Sequence, residues 1–242
     1  MRATIEWLFL LKPSAMKSII TLALIFLIVY SCKENTTDKV KIDTSVPNVE
    51  LSTAEIIANT YGIDNWSTVT ELNFTFNVDV GERHIERSFV WNPKTQDVVL
   101  MNATDTISYN RNAPMDSLQV QADKRFINDS YWLLSPFKLV WDEGVSFSEE
   151  ENVIAPISKD TLHRLTILYE GEGGYTPGDA YDFYYSDDYM IREWGYRGDN
   201  AEKASTSTSW VKLETFNGLK LNTVHQDSLG NFKLYFTNIS VK

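Results

Sequence analysis

The stretch VTELNFTFNVDV, Val69 to Val80, decides the fold. Leu72, Phe74, Phe76, Val78 and Val80 alternate with Glu71, Asn73, Thr75, Asn77 and Asp79, a period of two that an extended strand converts into one apolar and one polar face. Such alternation is the mark of an antiparallel sheet with one face on a core and the other wet. Gly81 and Glu82 then turn the chain into RHIERSFVW, and the short runs DVVLM and TISYN follow, so four strands are expected as an antiparallel meander.

On the N-terminal side, LSTAEIIANTYGI reads as a helix. Ser52 and Glu55 have capping-box spacing, Ile56, Ile57 and Tyr61 share a face, and Gly62 can stop the helix in the left-handed conformation. On the C-terminal side, MDSLQVQADKRFINDSYWLLSPFKLVW loses the strand period. Leu118, Ala122 and Phe126 fall on one helical face, while YWLLSPFKLVW is apolar on nearly every side and is expected to break at Pro136. Strands then resume at TLHRLTILYE, DAYDFYY, YMIREWGYR, STSWVKLETF, LKLNTVHQ and NFKLYFTNISV, with hairpin turns at Asn217-Gly218 and Gly230-Asn231.

No βαβ alternation occurs, which excludes a Rossmann-type or parallel-barrel enzyme. The expected class is mainly β (α+β): a strongly curved antiparallel sheet or incomplete β-barrel, with an N-terminal helix and a helical insert in its hollow. The insert's aromatic and aliphatic side chains, Trp132, Leu134, Phe137 and Leu139, would either fill that hollow permanently or act as a movable lid over an apolar cavity. Strand alternation also places Arg83 and Arg87 on the face of Ile85, Phe89 and Trp91, where an arginine at the mouth of a hollow would pair with an anionic ligand head or snorkel to water. Candidate ligand-binding residues are thus Arg83, Arg87, Trp91, Trp132, Leu134 and Phe137.

The single cysteine, Cys32, cannot form an intrachain disulfide. It ends an apolar run from Ile19 to Tyr30, preceded by Lys17, and follows the small Ser31. Such a run is shorter than the roughly 20 residues needed to span a bilayer, so an export signal fits it better than a permanent membrane helix. Val29-Tyr30-Ser31-Cys32 resembles a bacterial lipobox, which implies cleavage before Cys32 and acylation of its thiol. The alternatives are an ordinary signal peptide or a helical anchor. The expected organisation is a signal over residues 1–31, with a possible true start at Met16, a lipidated cysteine and polar tether over 32–50, and one β domain over 51–242.

Loss of residues 1–31 leaves 19 basic against 32 acidic residues, a net charge of −13. With no Lys/Arg cluster, nucleic acid is excluded as an expected partner, and anionic head groups would repel the domain; membrane association would come from the acyl chains on Cys32. Catalytic and metal constellations are equally scarce. His84, His163 and His225 lie far apart without a second ligand at metal spacing, and His163 shares a strand face with Leu165, Ile167 and Tyr169. GEGGYTPGD joins two strands and lacks the lysine and helix of a phosphate loop. Asp182, Asp187, Asp188 and Glu193, among the tyrosines of YDFYYSDDYMIREW, match no calcium loop and read as solvated residues. No G-x-S-x-G is present. Neither metal, cofactor nor enzymatic activity is expected.

The order of elements resembles the LolA/LolB lipoprotein-carrier fold over about residues 50–242, a span consistent with a single domain. FINDSYWLLSPFKLVWD and GGYTPGDAYDFYY resemble segments of uncharacterised Bacteroidota outer-membrane lipoproteins, and KEN after Cys32 partly resembles their surface-export tags. The resemblance implies a non-catalytic lipoprotein of the cell envelope, on the periplasmic or outer face of the outer membrane, that binds an acyl chain, glycolipid or lipoprotein. The alternative is a surface module that binds protein or glycan through exposed aromatics.

Overall fold

The computed structural model describes residues 50–170 and 176–242. The signal segment, Cys32 and the tether up to residue 49 lie outside the described residues, as does most of the glycine-rich loop.

Helix α1, Thr53–Thr60, starts at the expected capping box: the Ser52 side chain accepts from the Glu55 backbone, and the Glu55 carboxylate accepts from the Ser52 N–H at 2.8 Å. It ends at Gly62, whose φ of +90° is left-handed, and a 3-10 turn follows over Ile63–Thr68. A side chain at Gly62 would be blocked twice, since its Cβ would lie 2.3 Å from the Gly218 carbonyl oxygen. That close approach locks the end of α1 onto a distant hairpin turn. Asn65 donates to Gly218 O at 3.2 Å, and the Lys220 N–H donates to Tyr61 O at 2.9 Å.

Strands β1 (Leu72–Val80), β2 (Arg83–Asn92), β3 (Asp97–Met101) and β4 (Thr106–Asn110) form the expected meander. A second meander contains β5 (Val145–Ile154), β6 (Thr161–Tyr169), β7 (Ala180–Tyr185), β8 (Ile191–Arg197), β9 (Thr206–Phe216), β10 (Leu219–Gln226) and β11 (Phe232–Val241). Antiparallel pairing of β1 with β11 joins the two into one 11-stranded sheet, order β4-β3-β2-β1-β11-β10-β9-β8-β7-β6-β5. Asn217 and Gly218, both at positive φ, form the two-residue turn between β9 and β10.

Helix α2, Ser117–Trp141, connects β4 to β5. It therefore runs from one free edge of the sheet to the other, and the sheet stays open rather than closing into a barrel. The curvature follows from what a short piece of α2 touches. Phe126 meets Phe89 and Trp91 of β2 at ring-centroid distances of 5.7 and 5.3 Å, whereas Tyr131 meets Tyr181 of β7 at 5.0 Å. Trp132 meets Trp194 of β8 at 4.4 Å and His225 of β10 at 5.5 Å. From Phe126 to Trp132 the helix rises only about 9 Å. In a flat sheet β2 and β7 would stand about 29 Å apart, six strand spacings. Only a sheet curled around the helix brings both within reach.

Three expectations need correction. The helix is continuous through Pro136. A proline removes one N–H donor, and burial of Trp132, Leu133, Leu134, Phe137 and Leu139 on both sides of it outweighs that loss. Leu118 is 66% exposed and does not join Ala122 and Phe126 in the core. The polar face of β1 is not wholly wet either. Thr75 and Asn77 are buried, because Thr75 bonds Ser88 at 2.8 Å while Asn77 donates to Thr237 at 3.1 Å and to the Tyr235 carbonyl at 3.3 Å. Neighbouring side chains cover this central pair of strands in place of water.

Candidate functional site

The hollow is lined by alternate residues of the sheet and filled by α2. Its inner face can be traced through the register: Phe74 faces Phe89, Phe76 faces both Arg87 and Phe236, Val78 faces Leu234, and Trp210 faces His225. All of them are buried, as is a contiguous set running through Leu165, Phe183 and Trp194. One apolar core thus extends across the whole sheet.

Polar latches hold α2 at three points. At its start Asp116 caps the Leu118 and Gln119 N–H groups at 2.8 and 2.9 Å, and Arg111, just after β4, reaches Asp123 at 2.9 Å. In its middle the Asp129 carboxylate is fully buried and accepts two parallel bonds from Arg87, Nε to Oδ2 at 2.6 Å and Nη2 to Oδ1 at 2.8 Å. The guanidinium lies 4.9 Å from the centre of the Phe76 ring. Burial pushes the Asp129 carboxyl up from its ordinary range, and the attraction of Arg87 opposes that shift. At its end Asp142 accepts from the Tyr169 hydroxyl at 2.6 Å.

Each candidate from the sequence has a definite place in this arrangement. Arg87 is engaged with Asp129, so an anionic ligand head would have to displace that carboxylate. Arg83 is exposed at the start of β2, opposite Val80. Trp91 and Phe137 meet through Trp66, at 5.5 and 6.0 Å, on one side of α2. Trp132 projects to the other side against β8 and β10, and Leu134 is buried in the same core.

Beneath Trp132 the hollow carries a group of side chains that sequence reading did not single out. Trp194 and Thr208 face each other across β8 and β9, and Trp210 and His225 face each other across β9 and β10. All four are buried, yet Trp194 Nε1, Thr208 Oγ1 and Trp210 Nε1 lack a hydrogen-bond partner, and His225 has no side-chain partner. Burial lowers the His225 pKa to about 3, against a hydrogen bond with the Asn222 backbone that favours the charged ring. The imidazole is therefore neutral at physiological pH. A sequence signal for it existed, because Leu219, Leu221, Thr223 and His225 alternate on one strand face.

Other titratable residues serve the scaffold. His84 pairs with Asp79 at 2.7 Å and His163 with Asp187 at 2.8 Å. Asp182 is not solvated, as its composition-based reading implied, but buried between Thr166 at 2.6 Å and Arg197 at 2.9 Å. Glu193 is likewise buried and accepts the Ile157 and Ser158 N–H groups at 2.6 and 2.7 Å. Among the described residues, no cluster of three or more His, Cys, Asp or Glu side chains is placed to hold a metal ion, and no helix is long and apolar enough to cross a membrane. Tyr181, Tyr184 and Tyr185 of β7 are buried, and Phe147 is the one exposed aromatic among the described residues.

The fold has a distant likeness among solved structures. A crystal structure of a DUF1329 family protein from Desulfovibrio piger ATCC 29098 is similar at a TM-score of 0.44 and 8% sequence identity, over 78% of this chain and 92% of that one. No protein-family model and no curated protein sequence matches the chain.

Proposed function

We propose that this is a lipid-anchored, non-catalytic protein of the bacterial outer membrane, similar in design to the LolA/LolB carriers, that holds an apolar ligand such as an acyl chain in the hollow beside α2. The open sheet is the observation that carries this reading. Its free edges, β4 and β5, are not paired with each other and are joined through α2. The hollow can therefore widen by parting side-chain contacts and polar latches while every strand ladder stays intact. A closed barrel would have to break a ladder to do the same.

An acyl chain that displaces packing contacts around Trp132, Leu134 and Phe137 gains about 0.8 kcal/mol per buried methylene, so a chain of ordinary length can offset the repacking of a few aromatic contacts. Acylated Cys32 would keep the carrier at the membrane from which it loads. The test is titration of the mature protein with an apolar naphthylamine probe, read by fluorescence enhancement and competed with a long-chain acyl compound. Saturable, competable binding is expected. Absence of saturable probe binding at temperatures approaching the unfolding transition refutes the reading.

A further inference from the structure

We infer that Trp194, Thr208, Trp210 and His225 form the head-group end of the hollow, a site for an uncharged, hydrogen-bond-accepting group such as the glycerol or ester of a neutral lipid. The inference rests on the carrier reading and names the ligand class for it.

Its geometry comes from the register. Trp194 opposes Thr208, Trp210 opposes His225, and Thr208 and Trp210 stand two residues apart on β9 and share a face. The four therefore occupy a patch three strands wide, about 10 Å across, and about 7 Å along the strands, comparable to a glycerol unit or a single sugar ring. Trp132 of α2 roofs it, with ring centres 4.4 Å from Trp194 and 5.5 Å from His225. Phe232 and Phe236 flank it, at 6.3 Å from Trp132 and 6.1 Å from His225.

Hydrogen-bonding capacity then selects the ligand. Each indole contributes one N–H donor and no acceptor, the Thr208 hydroxyl contributes one donor and accepts, and a neutral imidazole contributes one donor and one acceptor. Donors outnumber acceptors by this count if lone-pair sites are taken once per atom, so the patch favours a group rich in acceptor oxygens. No Lys or Arg belongs to the set, and Arg87, which faces the hollow, is neutralised by Asp129. A phosphate or carboxylate placed here would be buried without a counter-charge, which is strongly unfavourable. Buried polar atoms are ordinarily satisfied, and the unsatisfied indole N–H groups of Trp194 and Trp210 and the Thr208 hydroxyl, gathered with His225 under one aromatic roof, are accounted for by a guest that satisfies them.

The experiment competes the bound naphthylamine probe from the full mature protein with a monoacylglycerol and with the lysophosphatidic acid of the same chain, which differs by one phosphate. The monoacylglycerol is expected to compete at least about tenfold better. Thr208→Val, which keeps the side-chain shape, and His225→Phe, which keeps a ring, are each expected to weaken monoacylglycerol binding by roughly five- to tenfold more than they weaken probe binding. Equal or stronger competition by lysophosphatidic acid overturns the inference, as does unaltered monoacylglycerol binding in Thr208→Val, the result expected if ordered water alone satisfies these atoms. In either case probe binding would survive and the carrier reading would stand. Loss of saturable probe binding in the wild type would overturn both.

Discussion

Replacing Arg87 with methionine would leave the Asp129 carboxylate fully buried with Asn128 Nδ2, at 3.0 Å, as its remaining side-chain partner. Removing one member of a buried ion pair costs about 3–5 kcal/mol, because the other charge stays desolvated. The double variant Arg87→Met/Asp129→Leu removes both charges and retains most of the volume, so its stability should lie within about 1 kcal/mol of wild type or exceed it. The raised pKa of Asp129 agrees with this expectation, since burial outweighs the attraction of Arg87 even in the intact pair. A pH dependence follows with a definite sign. In Arg87→Met the folded-state pKa of Asp129 lies further above its unfolded value, so protonation favours the folded state and the deficit relative to wild type should shrink as pH falls from 7 to 5. Urea unfolding of wild type, both single variants and the double variant at pH 7 and pH 5 measures every quantity. A single variant no worse than an exposed-site substitution, within about 0.5 kcal/mol, would refute the reasoning, as would a double variant as unstable as Arg87→Met.

Other expectations follow from the same packing. His225, lowered to about 3 in the fold, should make wild type lose stability as pH drops below about 6.5, by up to about 1.4 kcal/mol per pH unit until the folded ring itself protonates, and His225→Phe should remove that part of the slope. Phe137→Ala should cost about 3–5 kcal/mol in urea unfolding if its ring is permanent core, and distinctly less if α2 is a displaceable lid whose loss also alters probe affinity. Gly62→Ala should destabilise by more than about 1 kcal/mol, because it combines a left-handed φ with a Cβ contact of 2.3 Å to Gly218 O; a neutral thermal melt would contradict that contact. Cys32→Ala should move the protein from the membrane to the soluble fraction and abolish fatty-acid labelling; unchanged membrane retention would make Ile19 to Tyr30 the anchor.

Local signals carried much of the architecture. The alternation in β1, the Ser52/Glu55 capping box and Asn217-Gly218 each act through backbone geometry over a few residues, and each forms the expected element, although burial of Thr75 and Asn77 departs from the wet face expected of β1. Strand β5 was not legible because the apolar alternation of VSFSEEENVI stops after Val145 and Phe147 at three consecutive glutamates. It is an edge strand, paired on one side, and its exposed charges discourage pairing with another chain. Continuity through Pro136 is not legible in the sequence, because intrinsic propensity penalises the proline while burial around it is a tertiary effect. The inward placement of Trp132, Leu134 and Phe137 was legible from all-round hydrophobicity. The Arg87 partner was not, since pairing with Asp129 depends on where a distant helix docks, although an aspartate within FINDSYW was a visible oddity. The unpartnered set around His225 is assembled from three strands, and only the His225 alternation could be read from one of them.

The central claim, that the hollow takes up an apolar ligand, is tested most directly by native mass spectrometry of the mature protein released gently from membranes, followed by reloading of the stripped protein with defined lipids. The account expects a discrete adduct of lipid mass at one-to-one stoichiometry, lost on denaturation and restored by a monoacylglycerol. A bare protein mass both on release and after incubation with neutral and anionic lipids would contradict it.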